Sequence, residues 1–526
     1  MGGFGISTSD TKKRKISKNG PQLLEAAVRA HKTGDITSAE ALYLNAINSG
    51  FHHEIAYSNL GVIYKNTGRK EKALAIYELA TAKNPNFADA FTNLGNLYKD
   101  LGNLDQALAS TLKSLELKSD NSDALTNLGG IYKDLGNLEQ ALASTRKSLE
   151  LKPGCSKALY TLGRIQMTLG KTEEARKTLL NAIENNSHEY AAYYELSTML
   201  ETKEQASDLV KAINSANVAE VSSLDRYFIE FAISNCLHKA ANYSEASKRL
   251  QLANKNKLTL FSSNAESLQQ EIENNLAKID SPERTPVNTN SGKERIFIVG
   301  MPRSGSTLLE TILSISPEIK DLGESRSLKK AIAKLQAQKQ HNHDHQGLNE
   351  IYSQMEPIDR TQYKYTTDKN LYNFMHISFI AYHMPAAKII HCRRNPMDNI
   401  LSMYRSNLKA HNCYTANLED AAKILVAKEQ AMQIQKKRYP KIIFTFDYDQ
   451  FVNAPEVNLR KLLRWLDLEF DLNYLHPEKS TRSVNTASVM QARKPISNKS
   501  VGGWKNYKSL LKPALKILQE SGIGIE

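Results

Sequence analysis

The chain predicts two architectures in series: an N-terminal helical-repeat α-solenoid, then an α/β domain built on a central parallel sheet. Three observations carry this. A 34-residue period runs through the first half. A polar, proline-broken stretch follows at 281–293. Beyond it, apolar runs alternate with helical patterns, starting with Ile296-Phe297-Ile298-Val299 and a glycine-rich turn at 300–307. Strands separated by helix-length segments are the mark of a parallel sheet.

Length and charge bound the reading. A chain of 526 residues exceeds one hydrophobic core, so more than one domain is required. The formal net charge of +13 suits anionic partners. Part of it lies in a basic tail over 1–20, with Lys12, Lys13, Arg14, Lys15 and Lys18 among Ser, Gly and Thr, which reads as a solvated, disordered end. Cys155, Cys236, Cys392 and Cys413 are scattered without disulfide or metal spacing. With no long apolar run, they argue for a reducing, cytoplasmic setting without a transmembrane segment. Nothing in the pattern points to nucleic acid.

Across 21–190 the triplet Asn-Leu-Gly recurs at Asn59, Asn93 and Asn127 and returns as Thr161-Leu162-Gly163. Tyr64, Tyr98 and Tyr132 keep the step, as do Gly34, Gly68, Gly102, Gly136 and Gly170, and Ala39, Ala73, Ala107, Ala141 and Ala175. Pro85 and Pro153 close their units. Small residues let paired helices approach, glycine turns the chain and proline stops the second helix. Five such units resemble the tetratricopeptide repeat. Residues 191–280 stay helical but lose the strict period, and Asn242-Tyr243-Ser244-Glu245-Ala246 reads as a degenerate unit or cap. The solenoid face is a candidate surface for a protein or peptide partner. The stretch 281–294 reads as a linker, so the domain 295–526 is expected to fold independently of the solenoid.

The chemistry lies in the second half. Gly300-Met301-Pro302-Arg303-Ser304-Gly305-Ser306-Thr307 follows a strand and opens a helix, the arrangement that turns backbone N–H groups toward a phosphate. Its spacing is that of the nucleotide-binding P-loop, except that Ser306 stands where the lysine belongs and the cation is Arg303. A second segment, Ala387 through Ser402, reads as a buried strand ending at Arg393-Arg394. Pro396 then opens a helix at its favoured first position. Arg394 emerges where open α/β sheets bind ligands, and Ser402 lies eight residues on, so both are placed to meet a second phosphate.

Together these segments resemble the sulfotransferases that use 3'-phosphoadenosine 5'-phosphosulfate. Residues 302–307 are similar to the family's 5'-phosphosulfate loop, and Arg394-Asn395-Pro396 with Ser402 to its 3'-phosphate element. The likeness spans about 295–507 and is nearest to protein-tyrosine sulfotransferases and bacterial repeat-linked relatives. Gly323-Glu324-Ser325-Arg326 resembles the segment bearing their proposed general base, and Asp368-Lys369 the segment bearing a catalytic lysine. Tyr448-Asp449-Gln450-Phe451 resembles a nucleotide-contacting segment, and Ser488-Val489-Met490-Gln491 a stretch whose serine touches the cofactor. The resemblance departs at Ser325, where a second glutamate is usual, and at Gly503, where a lysine precedes Trp504; Lys499 or Lys505 is the candidate replacement. The membrane anchor of the eukaryotic tyrosine enzymes is not found.

The resemblance implies in-line sulfuryl transfer to an acceptor hydroxyl on a peptidyl tyrosine, a sugar or a small alcohol. Its candidate catalytic residues are Glu324, Arg303, Lys369 and Ser488, and its cofactor contacts Pro302, Arg303, Ser304, Gly305, Ser306, Thr307, Arg394, Ser402, Tyr448 and Lys499. Adenosine 3',5'-bisphosphate is the implied product, and no metal is expected because side-chain cations neutralise charge. His341, His343 and His345 read as a solvated loop rather than a zinc site. Two rivals remain: a kinase using the same loop, which Ser306 disfavours, and a repeat scaffold with an inactive nucleotide domain.

Overall fold

The computed structural model describes residues 19–216, 221–277, 291–340, 347–359, 361–480, 482, 484, 486 and 488–525. The basic tail up to residue 18, the linker through 290 and the histidines at 341, 343 and 345 lie outside them. By packing, the chain divides into two compact units, 1–153 and 154–526.

The first unit is a run of antiparallel helix pairs, among them Gly20–Lys32 with Ile36–Asn48 and Ala88–Asp100 with Leu104–Leu117. The recurrent alanines Ala39, Ala73, Ala107 and Ala141 are fully buried. At Gly95, a Cβ would come within 2.3 Å of the Thr111 hydroxyl, so the two helices of that pair meet only because the side chain is missing. The turn glycines adopt the left-handed conformation that ends a helix cheaply, Gly102 at φ 79° being typical. The helices before Pro85 and Pro153 end at Lys83 and Leu151.

The second unit begins with the fifth pair, Ser156–Leu169 and Thr172–Asn185, followed by Tyr190–Thr198, Lys203–Ser215, Ser223–Lys239, Tyr243–Leu260 and Ala265–Ala277. The degenerate unit keeps the repeat geometry. Asn242 caps Tyr243–Leu260 by accepting from the Glu245 N–H, Ala246 is fully buried, and Ala241 takes the left-handed turn at φ 63° without glycine.

A five-stranded parallel sheet follows: β1 (Arg295–Gly300), β2 (Ile319–Asp321), β3 (Tyr365–Asp368), β4 (Lys388–Arg393) and β5 (Ile443–Asp447), in the order β2-β3-β1-β4-β5. Every pairing is parallel, with Phe297 opposite Asp368 in β3 and Ile389 in β4. β1 is buried throughout, and its side chains alternate between two cores. Ile296 and Ile298 face one, with Leu309, Ile390 and Phe446; Phe297 and Val299 face the other. No helix among the described residues is long and apolar enough to cross a membrane.

That second core changes the domain picture. It is continuous from Tyr227, Phe231, Leu250, Leu268 and Ile272 on the late helices to Phe297, Val299, Ile389 and Leu425. Helix Ser223–Lys239 is buried nearly all round, as expected of an element packed on two sides. The expected boundary near 281–294 therefore does not separate two cores, because the period-free helices bury their second apolar face against the sheet domain. A fragment beginning at residue 154 is expected to unfold in one cooperative thermal transition. One beginning at Lys293 is expected to aggregate or bind a hydrophobic dye, since it exposes the surface that Phe231, Leu250 and Ile272 cover. Size-exclusion chromatography and calorimetry of both fragments check this.

Candidate active site

Because all five strands run the same way, their carboxyl ends share one edge. Each is followed by a residue singled out from sequence: Arg303 after β1, Glu324 after β2, Lys369 after β3, Arg394 after β4 and Tyr448 after β5. β1 continues toward β2 on one side and β4 toward β5 on the other, so the crevice of a doubly wound sheet opens between their ends.

The β1 loop delivers a bare helix N-terminus. Gly305 sits at φ 90° as the N-cap of helix Ser306–Leu313, and no side chain caps it, leaving first-turn N–H groups for an external acceptor. A Cβ on Gly305 would lie 2.3 Å from the Tyr448 ring, so glycine is needed both for the turn and for that close approach. Ser304 turns its hydroxyl inward to the Met301 carbonyl, at 2.7 Å, and so supports the loop from within. Asn399 Nδ2 donates to the Pro302 carbonyl at 2.8 Å. Ser306 is buried in the first turn, and Thr307 Oγ1 lies 3.3 Å from Thr486 Oγ1.

Arg303 is held in the left-handed region at φ 69°, a conformation costly for a side-chain-bearing residue that aims its guanidinium across the crevice. Its Nε donates to Ser402 Oγ at 3.1 Å and its Nη1 to Ser488 Oγ at 2.5 Å and Gln491 Oε1 at 3.4 Å. Burial, reinforced by the charge of Arg394, pushes Arg303 down to about 10. Arg394 donates to the carbonyls of Arg303, at 3.3 Å, and Ser500, at 3.0 Å, and its guanidinium stacks 5.0 Å from the Tyr448 ring centre. Its Nε is buried with no hydrogen-bond partner among the described residues. Two arginines thus face one crevice, these hydrogen bonds going to neutral acceptors, with Asp449 close enough to Arg394 to feel its charge. Such a pocket gains from an anion.

The other side of β1 carries an acid–base pair. The Leu322 N–H donates to the Thr367 carbonyl and the Lys369 N–H to the Gly323 carbonyl, both at 2.8 Å, which extends β2–β3 pairing and sets Glu324 beside Lys369. Lys369 Nζ lies 2.9 Å from Glu324 Oε1 and 4.0 Å from Glu310 Oε2. Lys369 and Glu310 are buried, whereas the Glu324 side chain is 47% exposed at the mouth. Burial would raise the Glu324 carboxyl, but the charge and hydrogen bond of Lys369, with Lys409 and His411, outweigh it and hold it below the usual range. His411 itself is pushed down to about 4 by burial and stays neutral at pH 7.

The structure therefore brings Arg303, Ser402, Ser488, Arg394 and Tyr448 to one side of the crevice and Glu324 and Lys369 to the other. Two placements add detail that the sequence does not give. Ser402 pairs with Arg303, and no described hydrogen bond joins it to Arg394. Lys499 is exposed and its ammonium makes no hydrogen bond or ion pair among the described residues, its N–H donating to Ser497 Oγ at 3.3 Å. The C-terminal segment is instead tied down by Asp398, which accepts from the Gly502 and Trp504 N–H groups at 2.6 and 2.8 Å. Asp398 escaped notice because an acidic residue in a first helical turn is ordinary. Arg482 also gave no local signal. It donates to Glu310 Oε2 at 2.6 Å and Asp321 Oδ2 at 2.5 Å, buttressing the buried carboxylate beneath Lys369. Among the described residues, no group of three or more His, Cys, Asp or Glu is arranged to hold a metal.

Comparison with known proteins agrees with this architecture. A family model described as "Sulfotransferase family" matches residues 295–472, and tetratricopeptide-repeat models match 55–87, 76–109 and 135–200. An uncharacterized protein of Aquifex aeolicus is 29% identical over 259 residues, covering 45% of this chain. This chain spans only 34% of that relative's length. Protein-tyrosine sulfotransferase 1 of Danio rerio is 22% identical over 241 residues, 42% of this chain and 68% of that protein. The sulfotransferase domain of the Synechococcus PCC 7002 olefin synthase aligns at 17% identity and a TM-score of 0.34, covering 46% of this chain and all of that domain. The chain thus carries a sulfotransferase-family domain at 295–472 behind tetratricopeptide repeats.

Removing one partner of a buried ion pair leaves an uncompensated charge. Arg482→Leu takes this partner from Asp321 and leaves Glu310 only the longer 4.0 Å ion pair with Lys369, and is expected to cost about 3 kcal/mol of stability, measured by urea denaturation of the unit 154–526. Loss of less than about 1 kcal/mol, the scale of an exposed pair, would show that the Arg482 bonds are ornamental.

Proposed function

We propose that the domain transfers a sulfuryl group from 3'-phosphoadenosine 5'-phosphosulfate (PAPS) to an acceptor hydroxyl, with Glu324 as the base. The observation that carries this is the pairing of two separate cations, Arg303 and Arg394, around an uncapped helix N-terminus, with a lysine-held carboxylate opposite. The donor set fits the nucleotide: first-turn N–H groups, an orphaned buried Nε on Arg394, and the open face beside Gly305 and Tyr448. When bound, PAPS supplies the sulfuryl group and leaves as adenosine 3',5'-bisphosphate.

The chain's own residues do the rest. The first-turn amides of helix Ser306–Leu313, with Thr307, hold the 5'-phosphate, and Arg394 with the Tyr448 ring orients the nucleotide and its 3'-phosphate. Arg303 and Lys369 neutralise charge at the bridging oxygen, and Ser488 fixes the arginine. Preorganised donors lower the barrier because they need not reorient during transfer. Glu324 uses Oε1 for Lys369 and keeps Oε2 for the acceptor proton. Acceptor candidates are a peptidyl tyrosine, a sugar or a small alcohol, and the repeats offer a surface for a protein partner. The four cysteines are buried and none is placed in a disulfide among the described residues; a cytoplasmic setting is part of the proposal.

Two experiments test the reading. In isothermal titration, adenosine 3',5'-bisphosphate is expected to bind without metal and at least tenfold more tightly than ADP, about one charge-assisted contact's worth. Equal affinities would remove the 3'-phosphate assignment, and tighter magnesium-dependent ATP binding would favour the kinase. In sulfate transfer, Glu324→Gln is expected to lower turnover by about a hundredfold or more with bisphosphate affinity nearly unchanged, and Arg394→Ala to weaken nucleotide binding first. The pH profile gives a signed check. Burial raises the Glu324 carboxyl and Lys369 is the chief group opposing it, so Lys369→Met should raise that carboxyl and move the acid limb of the rate to higher pH. An unmoved limb would mean that another group is the base.

A further inference from the structure

Arg303 owes its pose to two segments remote in sequence, one ending in Ser402 and the other carrying Ser488 and Gln491. Both are fastened to helices that belong, by sequence, to the repeats. Past Ser402, the segment 404–414 hangs on side chains of those helices. Asn254 Nδ2 donates to the Tyr404 carbonyl at 2.9 Å, Lys257 Nζ to the Leu408 carbonyl at 2.6 Å, and the Asn407 N–H to the Tyr194 hydroxyl at 3.2 Å. Tyr194 and Arg303 are near enough for each to influence the other's ionisation.

The Ser488 segment has two of its described residues fastened to one carbonyl. Thr168, in the last turn of helix Ser156–Leu169, accepts from the Val484 N–H at 3.0 Å and from Arg493 Nη2 at 2.8 Å. The same Nη2 donates to the Arg482 carbonyl at 2.9 Å. The guanidinium fills the space above Gly170, where a Cβ would lie 2.4 Å from Nη1. No described carboxylate pairs with Arg493; its charge faces the carbonyl-rich, negative end of a helix. From Arg493 the short helix Val489–Ala492 leads straight back to Gln491 and Ser488.

We propose that the repeat-derived helices of 154–277 are a working part of the nucleotide site, with Arg493 the positioning residue that clasps helix Ser156–Leu169 to the segment gripping Arg303. This rests on the reading that Arg303 meets the nucleotide's reacting group. Binding energy that orders Arg303 then also tightens the clasp. By reciprocity, whatever shifts helix Ser156–Leu169 changes nucleotide affinity. The recurrent glycine at position 170, a turn device in the other repeats, gains a second use here as the seat of a guanidinium.

The test uses the full chain, with adenosine 3',5'-bisphosphate as the probe. Arg493→Ala is expected to weaken its affinity about tenfold, within the usual span of coupling between sites. Arg493→Lys is expected to do the same, because an ammonium keeps the charge but loses the fork. In the native chain, hydrogen exchange should slow on nucleotide binding in peptides containing Val484 and in the last turn of helix Ser156–Leu169. Unchanged affinity in both Arg493 variants, with the native chain binding normally, overturns the clasp and leaves the proposed function standing. Failure of the native chain to bind the bisphosphate removes both. Should the variants lose their fold by circular dichroism, exchange in the native chain decides: protection at those two places supports the clasp, and none overturns it.

Discussion

Parallel pairing of β1 with both β3 and β4 is the constraint on which the rest depends. It fixes one direction for every strand and so collects five loops at one edge. It also buries β1 on both faces, which demands apolar residues from Ile296 to Val299 and two cores rather than one. The β1–β4 contact is tight: a Cβ on Gly300 would sit 2.6 Å from the Cys392 carbonyl. That closeness brings the Pro302 carbonyl within reach of Asn399 and the Arg303 carbonyl within reach of Arg394. The two loops that the proposed reading assigns to anions are therefore hydrogen-bonded to each other through Asn399 and Arg394.

Strand order then sorts the chemistry. β4 and β5 lie to one side of β1 and carry Arg394, Ser402 and Tyr448; β3 and β2 lie to the other and carry Lys369 and Glu324. Under the proposed reading, nucleotide grip and proton handling fall on opposite flanks, with Arg303 between them. The electrostatics differ accordingly. On the flank assigned to the nucleotide, burial first and then the charge of Arg394 depress Arg303, and a bound anion would oppose both. On the other flank, Lys369 is already balanced between Glu310 and Glu324, so that side is settled without a ligand. A buried ammonium so flanked is held in place by its carboxylate partners.

What was legible in the sequence was local. The 34-residue period, the loop 300–307 and the Arg394-Asn395-Pro396 turn each fit within one element and its neighbour, and each appears as read. Glu324 and Lys369 were legible only through resemblance, since neither has a local pattern of its own. Asp398 holding Gly502 and Trp504, and Arg482 holding Glu310, join segments more than a hundred residues apart, and no periodicity encodes such bonds. Lys499 was named through resemblance alone, and its exposed ammonium has no partner among the described residues by which a local pattern could be judged.

The repeats were the deeper difficulty. Loss of period after 190 reads as decay toward a cap, and a cap should turn a polar face outward. Helix Ser223–Lys239 instead buries Tyr227, Ile229, Phe231 and Cys236 around most of its girth, and its successor contributes Asn254 and Lys257 to carbonyls of the sheet domain. The period relaxed because those helices serve two neighbours. A repeat that only stacks on its kind can keep one consensus. One that must also fit a sheet needs apolar residues on a second face, and polar groups where a loop's carbonyls require donors. Irregularity at the end of an array is therefore itself a signal, and the direction of the departure, toward apolar all round rather than polar, tells docking from capping.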